Sequence, residues 1–513
     1  MKTRDLPHQQ FATEWSNRII LISLLGIAFF TLFPFEFHST PINDLGRSPF
    51  LLGIWDPHFR FLHSVLNALL FVPFGFGLSS KFRKGSGRGW IPLVQALAIG
   101  AVVSYTVEFI QLYIPTRDSG WDDVLSNSVG SLIGYFFFEL WGGRVIAELS
   151  KWERMIQGWL LPRRAAWLLV AYFSVWFGAS VHFQNETRLS NWDPRCVLFV
   201  GNEASGEDPW KGQVQLLQIW NRALPEKTVK RVVAREKSED MNTGMLVSYD
   251  FSGSSPFRDQ RNFLPELKLV TDQTGTTITG ATQFDGSSWL SSRLPAENLT
   301  LEIKKSNRFT VHVVCTPAET QYARGHIVSL SEIDDNVNFS LRQDQGDLVL
   351  WFRNPLSETR SILAWYVRGA LEPEKPRDII ASYDGSEAII YLDGNRVPAT
   401  FRLSSAAGFA HTFSFIETSG LNGYILVYEI FVFLPAGMLL GLAGRNWNGN
   451  QLLGQCLIFL GVGVPAVLLE ILAARVGGHG IVAGNIAYAL IFGMAGVMLI
   501  NSDRGSKISP PAL

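Results

Sequence analysis

The chain has 513 residues, 47% hydrophobic and 17% charged, and its 44 Lys and Arg nearly balance 45 Asp and Glu for a formal net charge of -1. That balance excludes a polybasic nucleic-acid binder, which needs a concentrated positive face to displace counterions. A mean hydropathy of +0.14 fits a membrane protein diluted by a water-soluble part.

Eight stretches approach the roughly 20 apolar residues that cross a bilayer: 19–35, 61–78, 91–114, 124–141, 165–183, 424–443, 452–473 and 481–500. The first runs into Phe33-Pro-Phe-Glu-Phe37 instead of a small-residue cleavage site, so it reads as a retained helix. The second and fourth carry Asn67 and Asn127 and are less apolar. The most basic connections hold Lys81, Arg83, Lys84 and Arg88, then Arg144, Lys151, Arg154, Arg163 and Arg164. Short basic loops face the cytoplasm. Alternation then puts both termini inside, and the loop with Arg117 and the long region before 424 outside.

Ionisable and amide groups lie within the third and fourth spans and the loop that joins them. Glu108 and Gln111 are three residues apart and Asp123 and Asn127 four apart, so each pair shares one helix face. A carboxylate in hydrocarbon is costly and marks a bundle interior or a wet cavity. At about 1.5 Å per residue, Asn67 and Glu108 sit at similar depth from the exterior ends of their helices. The candidate ligand-binding set is therefore Asn67, Glu108, Gln111, Arg117, Asp123 and Asn127. Two structural roles compete with it: the amides as interhelical hydrogen-bond partners, and Glu108 as a salt bridge to Arg117. Gly130 and Gly134 stand at the small-xxx-small spacing of close helix packing, and Pro73 bends or tightens its helix. Asp118, Trp121 and Asp122 read as loop solvation and an interfacial aromatic anchor.

From 191 to 415 the pattern becomes short β-rich runs such as Phe309-Thr-Val-His-Val-Val and Asp378-Ile-Ile-Ala-Ser-Tyr, with hairpin turns expected at Asp384-Gly385 and Asp393-Gly394. That length suffices for one β-sandwich. Cys196 and Cys315 both fall there, where oxidation is possible, but spacing does not decide whether they pair. The three cysteines have no metal-ligand spacing, and neither a metal nor a cofactor is expected. The strand segment Glu332-Ile-Asp334-Asp-Asn336 lacks the last of the paired acids that glycoside hydrolysis needs.

The last three spans repeat features of the first half. Glu429-Ile-Phe-Val-Phe433-Leu-Pro435-Ala-Gly437 aligns with Asn67 through Gly75, and Glu470 with Glu108. Arg475 and Asn485 keep the separation of Arg117 and Asn127, giving a second, weaker set of Glu429, Glu470, Arg475 and Asn485. The expected fold class is a multi-pass α-helical membrane bundle of about eight helices in two parallel four-helix repeats, with an inserted extracytoplasmic β-sandwich. His479 reads as an exposed loop residue.

The segment Asn67-Ala-Leu-Leu-Phe71-Val-Pro73-Phe-Gly75, followed by Glu108-x-x-Gln111, Arg117, Asp123-x-x-x-Asn127-x-x-Gly130-x-x-x-Gly134, resembles the VanZ-like family, a group associated with glycopeptide-antibiotic resistance. Leu246-Val-Ser-Tyr-Asp-Phe, Gln283-Phe-Asp-Gly286, Ile327-Val-Ser-Leu and Ile390-Tyr-Leu-Asp-Gly394 resemble the laminin-G-like, concanavalin-type jelly roll. In that family the Gly201 to Leu224 element closes the domain, and here it precedes the opening strands, so the sandwich looks circularly permuted. The resemblances imply a VanZ-like domain at 1–160, a fifth membrane helix at 165–183, a laminin-G-like sandwich at 191–415 and a degenerate VanZ-like repeat at 424–501. They imply a bacterial inner-membrane protein that binds or helps handle an envelope glycan or lipid-linked precursor, in contact with membrane lipid. The sandwich would bind carbohydrate or an extracytoplasmic protein. An intramembrane enzyme using Glu108 and Asp123, and a structural or adhesive anchor, are the alternatives.

Overall fold

The computed structural model describes residues 6–33, 61–83, 90–114, 119–236, 239–253, 256–271, 282–321, 323–333, 336–357, 364–398, 401–412, 421–445 and 449–501, with Phe37, Arg117 and Trp447. Lys84, Arg88, Asp118 and Asp334 lie outside them. The chain forms two compact units, one of Met1–Ser174, Glu429–Ala466 and Asn485–Leu513 and the other of Val175–Tyr428 and Val467–Gly484.

The long helices are α1 (Leu6–Leu32), α2 (Phe61–Phe82), α3 (Trp90–Gln111), α4 (Trp121–Trp159) and α5 (Pro162–Glu186). The short α6 (Glu226–Val233), α7 (Glu239–Asn242), α8 (Glu297–Ser306) and α9 (Ser405–Thr412) interrupt the strands, and α10 (Leu421–Arg445), α11 (Gln451–Gly477) and α12 (Ala483–Asn501) follow them. Seven of these helices are long and apolar enough to cross a membrane. The eighth expected span belongs to α4, which is outside that group although it is a single helix of 39 residues. Ser126, Asn127, Ser128 and Ser131 dilute its apolar stretch. Phe30, Leu69, Val102 and Leu140 turn outward from their helices, an apolar exterior suited to lipid.

In the first unit Ile27, Phe71, Phe74, Leu78, Ala96, Val107 and Tyr135 form a core contributed by α1 to α4. Glycine sets how closely α2 meets α4. A Cβ on Gly75 would stand 2.0 Å from the Ser131 carbonyl oxygen, and one on Gly134 2.2 Å from that of Val72. No other residue permits such backbone contact.

The second unit is rich in antiparallel strands. They are β1 (Val197–Val200), β2 (Lys211–Trp220), β3 (Met245–Asp250), β4 (Lys268–Thr271), β5 (Thr282–Asp285), β6 (Ser288–Pro295), β7 (Phe309–Pro317) and β8 (Arg324–Glu332). The series continues with β9 (Asn336–Asp344), β10 (Asp347–Phe352), β11 (Trp365–Val367), β12 (Arg377–Tyr383), β13 (Glu387–Leu392), β14 (Asn395–Arg396) and β15 (Phe401–Arg402). One sheet runs β11-β10-β9-β8-β1-β6-β4 and the other β14-β13-β12-β7-β2-β3. Aromatic rings bridge the sheets: Phe309 of β7 lies 6.1 Å from Phe339 of β9, and Phe352 of β10 4.8 Å from Tyr383 of β12. Asp393 and Gly394, both at positive φ, form the two-residue hairpin between β13 and β14. The early strands are not peripheral: β1 lies between β8 and β6, and β2 between β7 and β3. Cys196, Cys315 and Cys456 are free thiols, the first two buried.

Candidate functional site

The buried side of α3 carries Ala96, Gly100, Ser104, Val107, Glu108 and Gln111, a helical stripe with polar groups in its C-terminal half. On α4, Asp123, Asn127 and Ser131 recur every fourth residue and share a face. The stripes meet in antiparallel steps. Ser131 Oγ fills the space beside Gly100, where a Cβ would approach it to 2.3 Å, and one turn on, Asn127 Nδ2 donates to Ser104 Oγ at 2.9 Å. The same step, continued by one turn, pairs Glu108 with the level of Asp123. Glu108 is 2% exposed, and its Oε2 accepts from the Gly120 backbone N–H at 3.1 Å, just ahead of α4. Asp123 in turn accepts from Asn67 Nδ2 at 2.6 Å, which brings α2 into the site. Asn67, Glu108, Asp123 and Asn127 thus form one connected wall, and Ser104 and Ser131 extend it.

Arg117 and Gln111 are placed differently from the expectation. Arg117 donates through Nε to Phe33 O at 2.8 Å and through Nη2 to Phe30 O at 3.3 Å, while Gln111 Nε2 donates to Thr31 O at 2.8 Å. These are carbonyls at the C-terminal end of α1, where a helix leaves its last oxygens without internal partners and favours a cation. Both side chains therefore cap α1. No ion pair joins Glu108 to Arg117 among the described residues: in place of the competing salt-bridge reading stand a backbone N–H on one side and helix capping on the other.

Two oxygens on this wall, Asn127 Oδ1 and Ser131 Oγ, and Gln111 Oε1 one turn beyond Glu108 on α3, are buried without a hydrogen-bond partner. Buried polar atoms are nearly always satisfied, and exceptions point to water or a ligand. Sequence reasoning missed Ser104 and Ser131 because serine is common in membrane helices. Ser104 stands four residues before Glu108 and Ser131 four after Asn127, and that spacing was the signal available.

The second set repeats the backbone contacts at a fixed interval. A Cβ on Gly134 would meet Val72 O, Phe76 N and Gly75 C, and one on Gly496 would meet Leu434 O, Met438 N and Gly437 C, each residue 362 positions beyond its counterpart. Glu470 Oε1 accepts from Val482 N at 2.7 Å, the same twelve-residue reach as Glu108 to Gly120. This uninterrupted register corrects two expected correspondences. Asn485 stands at the place of Asp123, not of Asn127, and Arg117 corresponds to His479, not to Arg475, which is exposed. Glu429 and Glu470 are buried. Ala466 and Ala489 occupy the positions of Ser104 and Asn127, so that polar step is lost as a pair.

No curated protein and no solved structure matches the chain. The family model described as VanZ/LLP1 matches residues 8–142, a range that contains α2, α3, the start of α4 and every residue of the first polar wall. With several apolar helices around that wall, the chain is a multi-pass membrane protein whose residues 8–142 are similar to the VanZ/LLP1 family.

Proposed function

We propose that the α2–α3–α4 wall binds the polar part of an envelope glycan or lipid-linked precursor inside the helical unit. The observation that carries this reading is the pair of buried oxygens without protein partners, Asn127 Oδ1 and Ser131 Oγ, on the wall that also holds the buried Glu108. Such a wall accepts hydrogen bonds more readily than it donates them, which suits the hydroxyl and amide donors of a glycan. Two carboxylates on one wall disfavour a phosphate at that level, and Arg117 acts by holding the end of α1.

In this reading the two helical sets are parallel repeats, and the repeated glycine and glutamate contacts support it. The strand-rich unit is a permuted laminin-G-like jelly roll that binds carbohydrate or protein outside the inner membrane, with both termini inside. The interior positions of β1 and β2 support the permutation. Reporters fused after Arg88 and Arg164 read cytoplasmic and one near Gly253 exterior. A fragment spanning 191–415 folds cooperatively, and one starting at Gly244 does not.

The test is mass spectrometry of lipids and glycans that co-purify with the protein in nanodiscs cut from its own membrane. The wild type retains an enriched envelope species, and Glu108→Gln loses it while keeping its melting temperature, because glutamine still accepts from Gly120. Equal retention by Glu108→Gln overturns the site. The adjacent levels of Glu108 and Asp123 favour a second reading, acid–base catalysis by the two carboxylates; turnover of a retained precursor, abolished in both Glu108→Gln and Asp123→Asn, would select it.

A further inference from the structure

In the strand-rich unit the loop between β1 and β2 brings two carboxylates to one histidine. Glu203, Asp208 and His326 each offer a ligand atom, and these atoms all lie within 4.8 Å of one another. The loop is pinned to β8 along its length: Ser329 Oγ donates to Asn202 O at 3.0 Å, Ala204 N to Ser331 Oγ at 3.1 Å and His326 N to Asp208 O at 3.1 Å. The three side chains are therefore preorganised by backbone contacts rather than by one another.

His326 is 7% exposed. Its Nδ1 lies 2.6 Å from Ser340 Oγ, while Nε2 stands 3.6 Å from Glu203 Oε2 and 3.7 Å from Asp208 Oδ2. Those two separations decide between readings. An imidazolium bridging two acids draws at least one of them into a hydrogen bond near 2.8 Å, and neither is that close. Ligands around a tetrahedral zinc ion, bonded at about 2.0–2.1 Å, lie roughly 3.4 Å from each other, and the observed separations need little adjustment to reach this. The Ser340 contact has the form of the outer-shell bond that orients a metal-binding imidazole and aims its other nitrogen.

A pocket of about 90 Å³ opens on the group, lined also by Ser340, Arg342 and Trp351. Two carboxylates against one guanidinium leave a negative balance that favours a cation. The indole N–H of Trp351 is buried with no acceptor, as if a further oxygen belonged in the pocket. We infer that this pocket binds a divalent transition-metal ion of the zinc class through His326 Nε2, Glu203 and Asp208, with a fourth position open to the pocket. Mixed imidazole and carboxylate donors select zinc and its neighbours over calcium or magnesium, and three protein ligands with one open position describe a site that takes an exogenous oxygen ligand.

The experiment uses the full-length protein in detergent, stripped with a chelator and titrated with Zn²⁺ or Co²⁺ by calorimetry and by the visible absorption of cobalt. One equivalent binds, and Ca²⁺ does not displace it. Asp208 is half exposed, so Asp208→Asn leaves the melting temperature of the metal-free protein unchanged while zinc affinity falls at least as far as in Ser340→Ala, where loss of the orienting bond weakens it by about 10- to 100-fold. His326→Gln abolishes the cobalt spectrum. Absence of stoichiometric Zn²⁺ binding, unchanged affinity in Asp208→Asn and His326→Gln, or preference for Ca²⁺ overturns the site.

Discussion

The two helical sets share a backbone and differ in what they place on it. Gly134 and Gly496 touch corresponding backbone atoms, and Glu108 and Glu470 each accept from an N–H twelve residues on. Between these anchors the chemistry diverges. The Ser104–Asn127 hydrogen bond gives way to Ala466 and Ala489, and the pair Gly100 with Ser131 becomes Val462 with Gly493, the larger side chain now on the other helix. A Cβ on Gly493 would come within 2.3 Å of Val462 Cγ1, as one on Gly100 would of Ser131 Oγ. Close contact is kept across the step while polarity is not. The lesson is that close packing and polar lining are separable: glycine contacts hold the helices in both sets, and only the first builds a continuous polar wall.

The comparison breaks first at the glycines. Gly134→Ala and Gly496→Ala should each cost on the order of 3 kcal/mol or more, because rigid backbone cannot give way to the added methyl. Thermal unfolding in detergent measures this, and a tolerated Gly496→Ala alongside a damaging Gly134→Ala would end the equivalence of the two sets.

A smaller effect is expected at the lost polar step. Asn127→Ala should cost about 1–2 kcal/mol by removing a buried partner, whereas Ser104→Ala combined with Asn127→Ala should be close to neutral, since the second set already packs two alanines there. A double-mutant cycle reads the coupling. Additive losses would mean that the two alanine positions are not true counterparts.

The smallest effect is one of reactivity alone. Burial pushes the thiols of Cys196 and Cys315 up to about 12, so neither is a thiolate near pH 8.5, where an ordinary cysteine is half ionised. Cys456 is exposed near the start of α11. Maleimide at that pH should modify one thiol in the folded protein and three after unfolding. In sealed vesicles Cys456 should react from the side that carries Arg164, and reaction from the opposite side would separate the orientations of the two helical sets.

Much of this was legible in the residues. Asn67, Glu108, Asp123 and Asn127 announce themselves as polar groups in apolar helices, and the Pro73-x-Gly75 and Pro435-x-Gly437 pairs reveal the second set. Two readings failed for one reason. Charge matches Arg117 to Glu108 and residue type matches it to Arg475, yet helix termini have orphan carbonyls that also accept from a guanidinium, and α1 ends where Arg117 reaches it. Identity also misled at Asn485, because equal loop lengths keep the register and an asparagine four residues away is a coincidence of type.

Composition and periodicity alone determined that this chain is a multi-pass membrane protein with a strand-rich region between helical sets, since transfer free energy and backbone hydrogen bonding act on every residue of a span. Tertiary structure alone decided which polar groups meet. Ser104 reaches Asn127 across α3 and α4, Arg117 turns to α1, and Glu203 and Asp208 meet His326, which lies more than a hundred residues further along the chain. Local pattern specifies a face; which face it meets depends on packing between distant segments, and for the first helical set that packing is set by the approach its glycines allow.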